Sequence, residues 1–312
     1  MSTGPHRAPT SAPGTPPGAV PSIVIPAHNE ERTLGRLLDR LLDGAAEGEF
    51  DILVVCNGCT DGTAAVAAAR GPRVRVVETP VPSKHQALRL GDRHTGTFPR
   101  VYVDADVEIG AADVRALAAA LTGPGGGQGA VQAAAPARVL PMTGCSWRVR
   151  AYYRVWQRLP AVREGLFGRG VIALTEEGHA RIAALPPLMA DDLAASLAFG
   201  PAERAVLDGA TVVVRPPRTW RDLIRRRVRA ATSTAQLEQH QQTSGDPGAN
   251  TPPPSARTGL GDLKALLLAD PTLLPAMLVF VAAALAARRG ARKAIEKRDF
   301  DTWLRDESSR AS

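Results

Sequence analysis

The feature that most constrains this chain is an alternation along its N-terminal part, where short β-branched runs are each followed by a segment of helical periodicity. Ser22-Ile23-Val24-Ile25-Pro26 leads to Leu34, Leu37, Leu38, Leu41 and Leu42. Asp51 to Val55 leads, across an Asn57-Gly58 turn, to an Ala-rich helix through Ala69 that Asp61 or Thr60 is placed to cap. Val74 to Val77 precedes a helix over Lys84 to Leu90, and Arg100 to Asp104 precedes one around Val114 to Leu121. Strands joined through helices pair in parallel, because the crossover returns the chain to the same end of the sheet. The expectation is an α/β domain, a mostly parallel sheet flanked by helices. The polar loops after the first, second and fourth strands then share one edge, where open sheets bind ligands.

At that edge stands Asp104-Ala105-Asp106, directly after Val101-Tyr102-Val103. Two carboxylates two residues apart on an extended chain point to one side and repel. A hard divalent cation, Mn²⁺ or Mg²⁺, removes the repulsion and can also hold a diphosphate. D-x-D alone is common and also describes an ordinary polar loop. Pro26-Ala27-His28-Asn29-Glu30 closes the first strand. Asn29 and Glu30 suit hydrogen bonds to a base or ribose; the plainer alternative is a helix N-cap by Asn29 with Glu30 in the first turn. Asp191-Asp192, ahead of Leu193, Leu197 and Phe199, marks a helix start. The helix dipole stabilises acids there, and an ionised carboxylate beside a site can take a proton as general base.

The formal net charge of +7 suits an anionic partner: a nucleotide diphosphate, anionic lipid or nucleic acid. Arg218, Arg221, Arg225 and Arg229 share one helix face, widened by Arg226 and Arg227, and this dense run points to an anion. No aromatic residues interleave with it, so nucleic acid is not the expected partner. The three cysteines, Cys56, Cys59 and Cys145, make no disulfide framework and suit a reducing compartment. Cys56 and Cys59 have the spacing and placement of a thioredoxin-like pair, and zinc would want a fourth ligand. Small, buried turn cysteines are the expectation.

Residues 1–20 are rich in Pro, Gly, Ser and Thr without an apolar run and read as a disordered tail. Residues 21–237 form the folded domain. Beyond Ala130 it adds a strand near Val131, a helix over Trp147 to Gln157 and a glycine-rich stretch (Gly165, Gly168, Gly170). A strand at Val171 to Leu174, a helix at Glu176 to Ala184, a strand at Thr211 to Val214 and a helix at Trp220 to Leu237 follow. Residues 238–260 read as a flexible linker around Pro252-Pro253-Pro254. Residues 261–312 are a C-terminal helical segment. Its apolar part, Leu273 to Ala287, is shorter than the about twenty residues of a bilayer span and contains Pro275. A weak span, an interfacial helix and a packed helix all remain open. The cluster Arg288, Arg289, Arg292 and Lys293 fits an anionic cytoplasmic leaflet. The expectation is a membrane-associated segment on a cytoplasmic protein at the inner face of the cell membrane.

Taken in order, these segments resemble the family 2 glycosyltransferases of GT-A fold, Rossmann-like nucleotide-diphospho-sugar transferases. Ser22 to Glu30 is similar to the opening strand with its P-x-x-N-E, and Leu53 to Gly62 to the second strand and its turn. Lys84-His85-Gln86-Ala87-Leu88 resembles G-K-x-x-A-L-N, Asp104-Ala105-Asp106 the metal motif, Ala190-Asp191-Asp192 the E-D motif of the catalytic base, and Arg226 to Ala230 the Q-x-x-R-W helix. The resemblance implies metal-dependent transfer of a sugar, with inversion, from a nucleotide diphosphate sugar to an acceptor hydroxyl on a glycan, lipid or metabolite. Asp104 and Asp106 would hold Mn²⁺ or Mg²⁺. Pro26, Asn29, Glu30, Asn57, Asp61, Lys84, Asp104 and Arg229 would hold the donor, and Asp192 beside Asp191 would be the base. Two departures are informative. Cys56-Asn57 stands where the family has an acid pair, and Arg226 and Ala230 replace Gln and Trp, which implies single addition instead of polymerisation. The alternatives are a nucleotidyltransferase of the same fold, whose Gly-rich basic loop after strand one is missing at Ala27 to Glu30, and a non-catalytic membrane-surface binding protein.

Overall fold

The computed structural model describes residues 20–123, 131–185, 191–243 and 258–296. β1 (Ser22–Ala27) is buried along its whole length. α1 (Leu34–Leu42) turns Leu34, Leu37, Leu38 and Leu41 onto one buried face, and each fully buried leucine contributes about 1.5–3 kcal/mol. There follow β2 (Asp51–Asn57), α2 (Thr63–Ala68), β3 (Val74–Thr79), α3 (Lys84–His94), β4 (Arg100–Val103), β5 (Val107–Glu108) and α4 (Ala111–Thr122). The second half contributes β6 (Ala133–Val139), α5 (Trp147–Trp156), α6 (Pro160–Glu164), β7 (Val171–Leu174), α7 (Glu176–Ala183), α8 (Asp191–Leu197), β8 (Arg204–Val214) and α9 (Trp220–Thr243). α10 (Leu260–Ala269) and α11 (Leu274–Glu296) close the described chain.

The strands form one sheet in the order β3-β2-β1-β4-β7-β6-β8-β5. β1 pairs in parallel with β2, Ser22 opposite Asp51, and with β4, Ser22 opposite Arg100. The chain therefore steps outward from β1 to β2 and β3, then returns to the other side of β1. That reversal puts a crevice at the carboxyl ends of β1 and β4. The second half of the sheet is mixed. β7 runs antiparallel to both β4 and β6, β5 runs antiparallel to β8, and β6 and β8 are parallel. A register shift between Pro136 and Ala137 interrupts the β6–β8 ladder where proline has no N–H to give. β8 begins at Arg204, ahead of the expected Thr211, and β5 was not foreseen: Asp208-Gly209 breaks the apolar pattern of the one, and the other has only two residues.

Side chains alternate across β1, so Ile23 and Ile25 join the core with α1 and α4, while Val24 joins Leu53, Val55 and the α3 residue Ala87 on the other face. α5, α9 and α11 form a further layer. Its core holds Tyr152, Tyr153, Leu223, Met277 and Phe280, with the Tyr152 and Phe280 rings stacked at 5.2 Å. α11 lies close on α9 at Gly290, where an added Cβ would stand 2.4 Å from Val228 Cγ2. α9 runs past residue 237 to Thr243 as one helix, so the expected linker boundary falls inside it.

Candidate active site

β1 ends in Pro26-Ala27 and β4 ends at Val103, so Asp104 emerges in the crevice between them. The antiparallel register sets Val103 opposite Val171, which places Asp104 beside Gly170; Asp104 N donates to Gly170 O at 2.7 Å. Gly170 has φ +66, and a Cβ there would lie 2.6 Å from Val107 Cγ1 and 3.2 Å from Asp104 Oδ2. Glycine is required for both reasons. Asp104 and Asp106 are half-buried on either side of the buried Ala105. Lys84 is the first residue of α3, behind the capping Ser83 whose hydroxyl accepts from Gln86 N, and its Nζ lies 2.8 Å from Asp104 Oδ1.

Lys84, Asp104 and Gly170 line a cavity of about 100 Å³, and Asp106 is not among its lining residues. Lys84 and Asp104 form its polar mouth, and Pro26, Leu88, Leu166, Ile172 and Ile182 are apolar parts of its lining. Ala194 and Ala195 of α8 close it. The helix headed by Asp191 and Asp192 therefore lines the same cavity as Asp104. The side chains of Asp191 and Asp192 lie outside the described residues. Asp92 and Tyr102 form another part of the wall, which the sequence reading missed. Asp92 Oδ1 accepts from Arg100 Nη1 at 2.7 Å and from the Tyr102 hydroxyl at 2.6 Å, and His179 Nε2 stands 3.2 Å away. Burial works against the Asp92 charge, but His179, the Tyr102 hydroxyl and the Arg100 guanidinium outweigh it and hold its carboxyl below the usual value. The only sequence signal was an arginine and a tyrosine in the short strand Arg100-Val101-Tyr102-Val103.

The other expected donor residues hold the scaffold together. Asn29, at φ 53, accepts from Thr60 N at 2.7 Å, and Glu31 Oε2 accepts from Gly62 N at 3.2 Å. Asp61 accepts from Glu31 N and from Thr63 N, and Glu30 N donates to Thr63 Oγ1 at 2.8 Å. Asn57 is buried, its Nδ2 donating to Ala27 O at 2.9 Å. These bonds lace the loops after β1 and β2 together, so Asn29, Glu30, Asn57 and Asp61 shape the crevice without lining the cavity. Asn29 is not a helix cap, since α1 starts at Leu34 behind Thr33. α2 likewise follows Gly62, with Asp61 Oδ1 serving Thr63 N from one residue further out.

Arg229 lies half-buried on α9 and is not among the residues lining the cavity. The arginine face of α9 is also less open than expected. Arg225 pairs with Asp222 at 3.2 Å, and the Arg227 guanidinium lies 6.0 Å from the Tyr152 ring centroid. Two arginines that the sequence reading passed over clamp the loop carrying Gly170. Arg169 is buried and donates to the carbonyls of Pro136, Val162, Arg163 and Gly165. Arg138 donates to Val162 O at 2.6 Å and stacks on Trp156 at 4.6 Å. Burial, then the charges of Arg169 and Arg226, push Arg138 down to about 9. The redox reading fails on chemistry: Cys56 is buried, and burial first, then Cys59, pushes its thiol up to about 12, away from the thiolate such chemistry needs.

Among the described residues no three His, Cys, Asp or Glu side chains cluster as a metal cage. Asp104 and Asp106 still fit a hard cation, because Mg²⁺-type sites are completed by one or two carboxylates with substrate phosphate oxygens.

A sheet that reverses between β1 and β4, with paired acids at the end of β4, is the arrangement of the GT-A fold. The family model described as Glycosyl transferase family 2 matches residues 22–133. The matched segment, which runs from β1 to the start of β6 and spans about a third of the chain, is similar to family 2 glycosyltransferases. Among solved structures, a mannosyltransferase from Pyrobaculum calidifontis in complex with GDP-Man and Mn²⁺ is similar at 22% identity and TM-score 0.56, over 94% of this chain and 85% of that one. A glucosyl-3-phosphoglycerate synthase from Mycobacterium tuberculosis, in complex with Mn²⁺, uridine diphosphate and phosphoglyceric acid, has 24% identity and TM-score 0.46, over 62% of this chain and 70% of that one. The likeness to the mannosyltransferase establishes the fold. No curated protein matches the sequence.

Proposed function

We propose that this protein transfers a single sugar, with inversion, from a nucleotide diphosphate sugar to an acceptor hydroxyl of a glycan, lipid or metabolite. The observation that supports this most is the shared cavity: Lys84 and Asp104 at its mouth, and α8, headed by Asp191 and Asp192, along its wall. Asp104 and Asp106 would hold Mn²⁺ or Mg²⁺, which when bound would supply positive charge against the leaving diphosphate. Lys84 moves from Asp104 toward that diphosphate and adds a second positive group. Arg229 is assigned the same role from the α9 side. Pro26 borders the donor, and Asn29, Glu30, Asn57 and Asp61 fix the loops that receive the nucleotide. Asp192, next to Asp191, takes the acceptor proton. The apolar wall of Leu88, Leu166, Ile172 and Ile182 excludes water, which limits hydrolysis of the donor. The reading places the enzyme in the cytoplasm at the inner face of the membrane, in building cell-envelope glycans.

Calorimetry with UDP, GDP and dTDP, with and without Mn²⁺, tests it, and the mannosyltransferase solved with GDP-Man makes GDP the first nucleotide to try. Metal-dependent binding of one nucleotide, lost in Asp104→Asn/Asp106→Asn, is the expected result. Asp192→Asn should keep donor binding and lose transfer; loss of donor binding would overturn the base assignment. A chain that binds no nucleotide under any metal condition is not this enzyme.

A further inference from the structure

α11 meets the length and hydropathy of a membrane span over Pro271–Ile295. Its packing shows a different use. Ala276, Met277, Phe280, Ala283, Ala287 and Ala291 recur along one side and are buried against the α5 and α9 layer. The other side carries a second apolar stripe. Leu274, Leu278, Val281 and Leu285 follow one another at spacings of four, three and four residues, 50%, 66%, 37% and 47% exposed. This face continues into Arg288, Arg289 and Arg292, all exposed. At its other end Arg154 donates to Thr272 Oγ1 at 3.1 Å, with Arg158 in the turn just past α5; both are exposed. A run of exposed leucines with cations at both ends is therefore built onto a helix whose opposite side already belongs to the domain core.

From these observations we infer that the outward face of α11 docks the enzyme flat on an anionic bilayer, leucines in the acyl boundary and arginines at the headgroups. The helix is long enough to span, but its exposed apolar stripe is short and its packing and charge disfavour crossing. Leu274 to Leu285 covers about 16 Å at 1.5 Å per residue, against about 30 Å of hydrocarbon. Crossing would also strip α11 from Tyr152 and Leu223 and draw Arg288 and Arg289 into the bilayer. Cations at both ends of an apolar face match a helix lying in the interface plane, where each meets anionic headgroups. This docking does not depend on the sugar-transfer reading.

The test is flotation of the full chain with vesicles of phosphatidylcholine, with and without phosphatidylglycerol. The wild type should float with the anionic vesicles, bind neutral ones about tenfold more weakly, and be released by high salt or alkaline carbonate without detergent. Leu278→Glu/Leu285→Glu should lose flotation about tenfold or more, with circular dichroism and nucleotide binding unchanged, because both side chains already face out. Arg288→Ala/Arg289→Ala/Arg292→Ala should lose the preference for anionic lipid. A double glutamate variant that floats like the wild type overturns the inference, as does release by detergent alone. It is also overturned if the wild type self-associates through this face, seen as a dimer in light scattering that the glutamate variant abolishes, with no flotation.

Discussion

Gly170→Ala is expected to unsettle the fold and the metal site together. The position has φ +66, where alanine costs about 1–2 kcal/mol. The new Cβ would meet Val107 Cγ1 at 2.6 Å, and Val107 is buried in the main core, so it cannot swing into solvent. Overpacking of that kind costs about 1–3 kcal/mol. Together they predict a loss of about 2–5 kcal/mol, a large part of the about 5–15 kcal/mol a domain has. The relaxation has a preferred direction. The second near contact is Asp104 Oδ2 at 3.2 Å, so the loop carrying Asp104 should give way, and metal-dependent nucleotide binding should weaken more than urea resistance alone predicts. Gly96→Ala is the control, since a Cβ there meets nothing within 4 Å and no left-handed φ is involved. Urea melts and calorimetry with Mn²⁺ and the cognate nucleotide should be run on both variants. The reasoning is refuted if Gly170→Ala melts within about 0.5 kcal/mol of the control, the ordinary range for harmless substitutions.

Asp92→Asn removes the carboxylate facing the buried Arg100 and should cost about 3 kcal/mol at neutral pH in urea melts. The folded pKa of Asp92 lies below its ordinary 3.8, so its contribution is complete above that value and fades as pH falls through the folded pKa. The gap between wild type and variant should therefore narrow in acid, and a constant gap would contradict the assignment. Lys84→Met, which leaves α3 and its Ser83 cap in place, should lower kcat about a hundredfold without a change in melting; unchanged turnover would remove Lys84 from the reaction. In native protein at neutral pH the Cys56 thiol should resist maleimide, and Cys56→Ala should retain full activity; mass spectrometry showing rapid labelling of Cys56 would contradict its burial.

The first half of the fold was legible because its signals are local. The strand runs and the leucines of α1 depend only on neighbours in sequence, and the parallel order follows from the helices between them. Asp104 was legible for the same reason: it ends an apolar run. What could not be read is what antiparallel pairing across the sheet brings together. Gly170 reaches Asp104 because Val103 faces Val171, a register set by strands far apart in sequence. Asn29 suits a ligand contact or a helix cap, and Asp61 suits a cap, with a donor contact implied by the resemblance. Their bonds to Thr60 and Thr63 depend on how closely the two loops approach.

The arginines carry the same lesson about charge. A net charge of +7 invites the idea of a broadly cationic surface. Arg100 and Arg169 are instead buried, and Arg138 is nearly so, their guanidiniums spent on Asp92 or on backbone carbonyls around the active-site loop. Arg70, Arg75, Arg115 and Arg181 pair with Asp39, Asp51, Glu49 and Glu203. Paired or buried cations hold the fold together and contribute little outward field. Exposed cations also stand at both ends of the α11 leucines, on α5 and on α11 itself. Total charge thus says less about a partner than placement does: Arg288, Arg289 and Arg292 continue the exposed apolar stripe of α11, a juxtaposition that composition cannot contain.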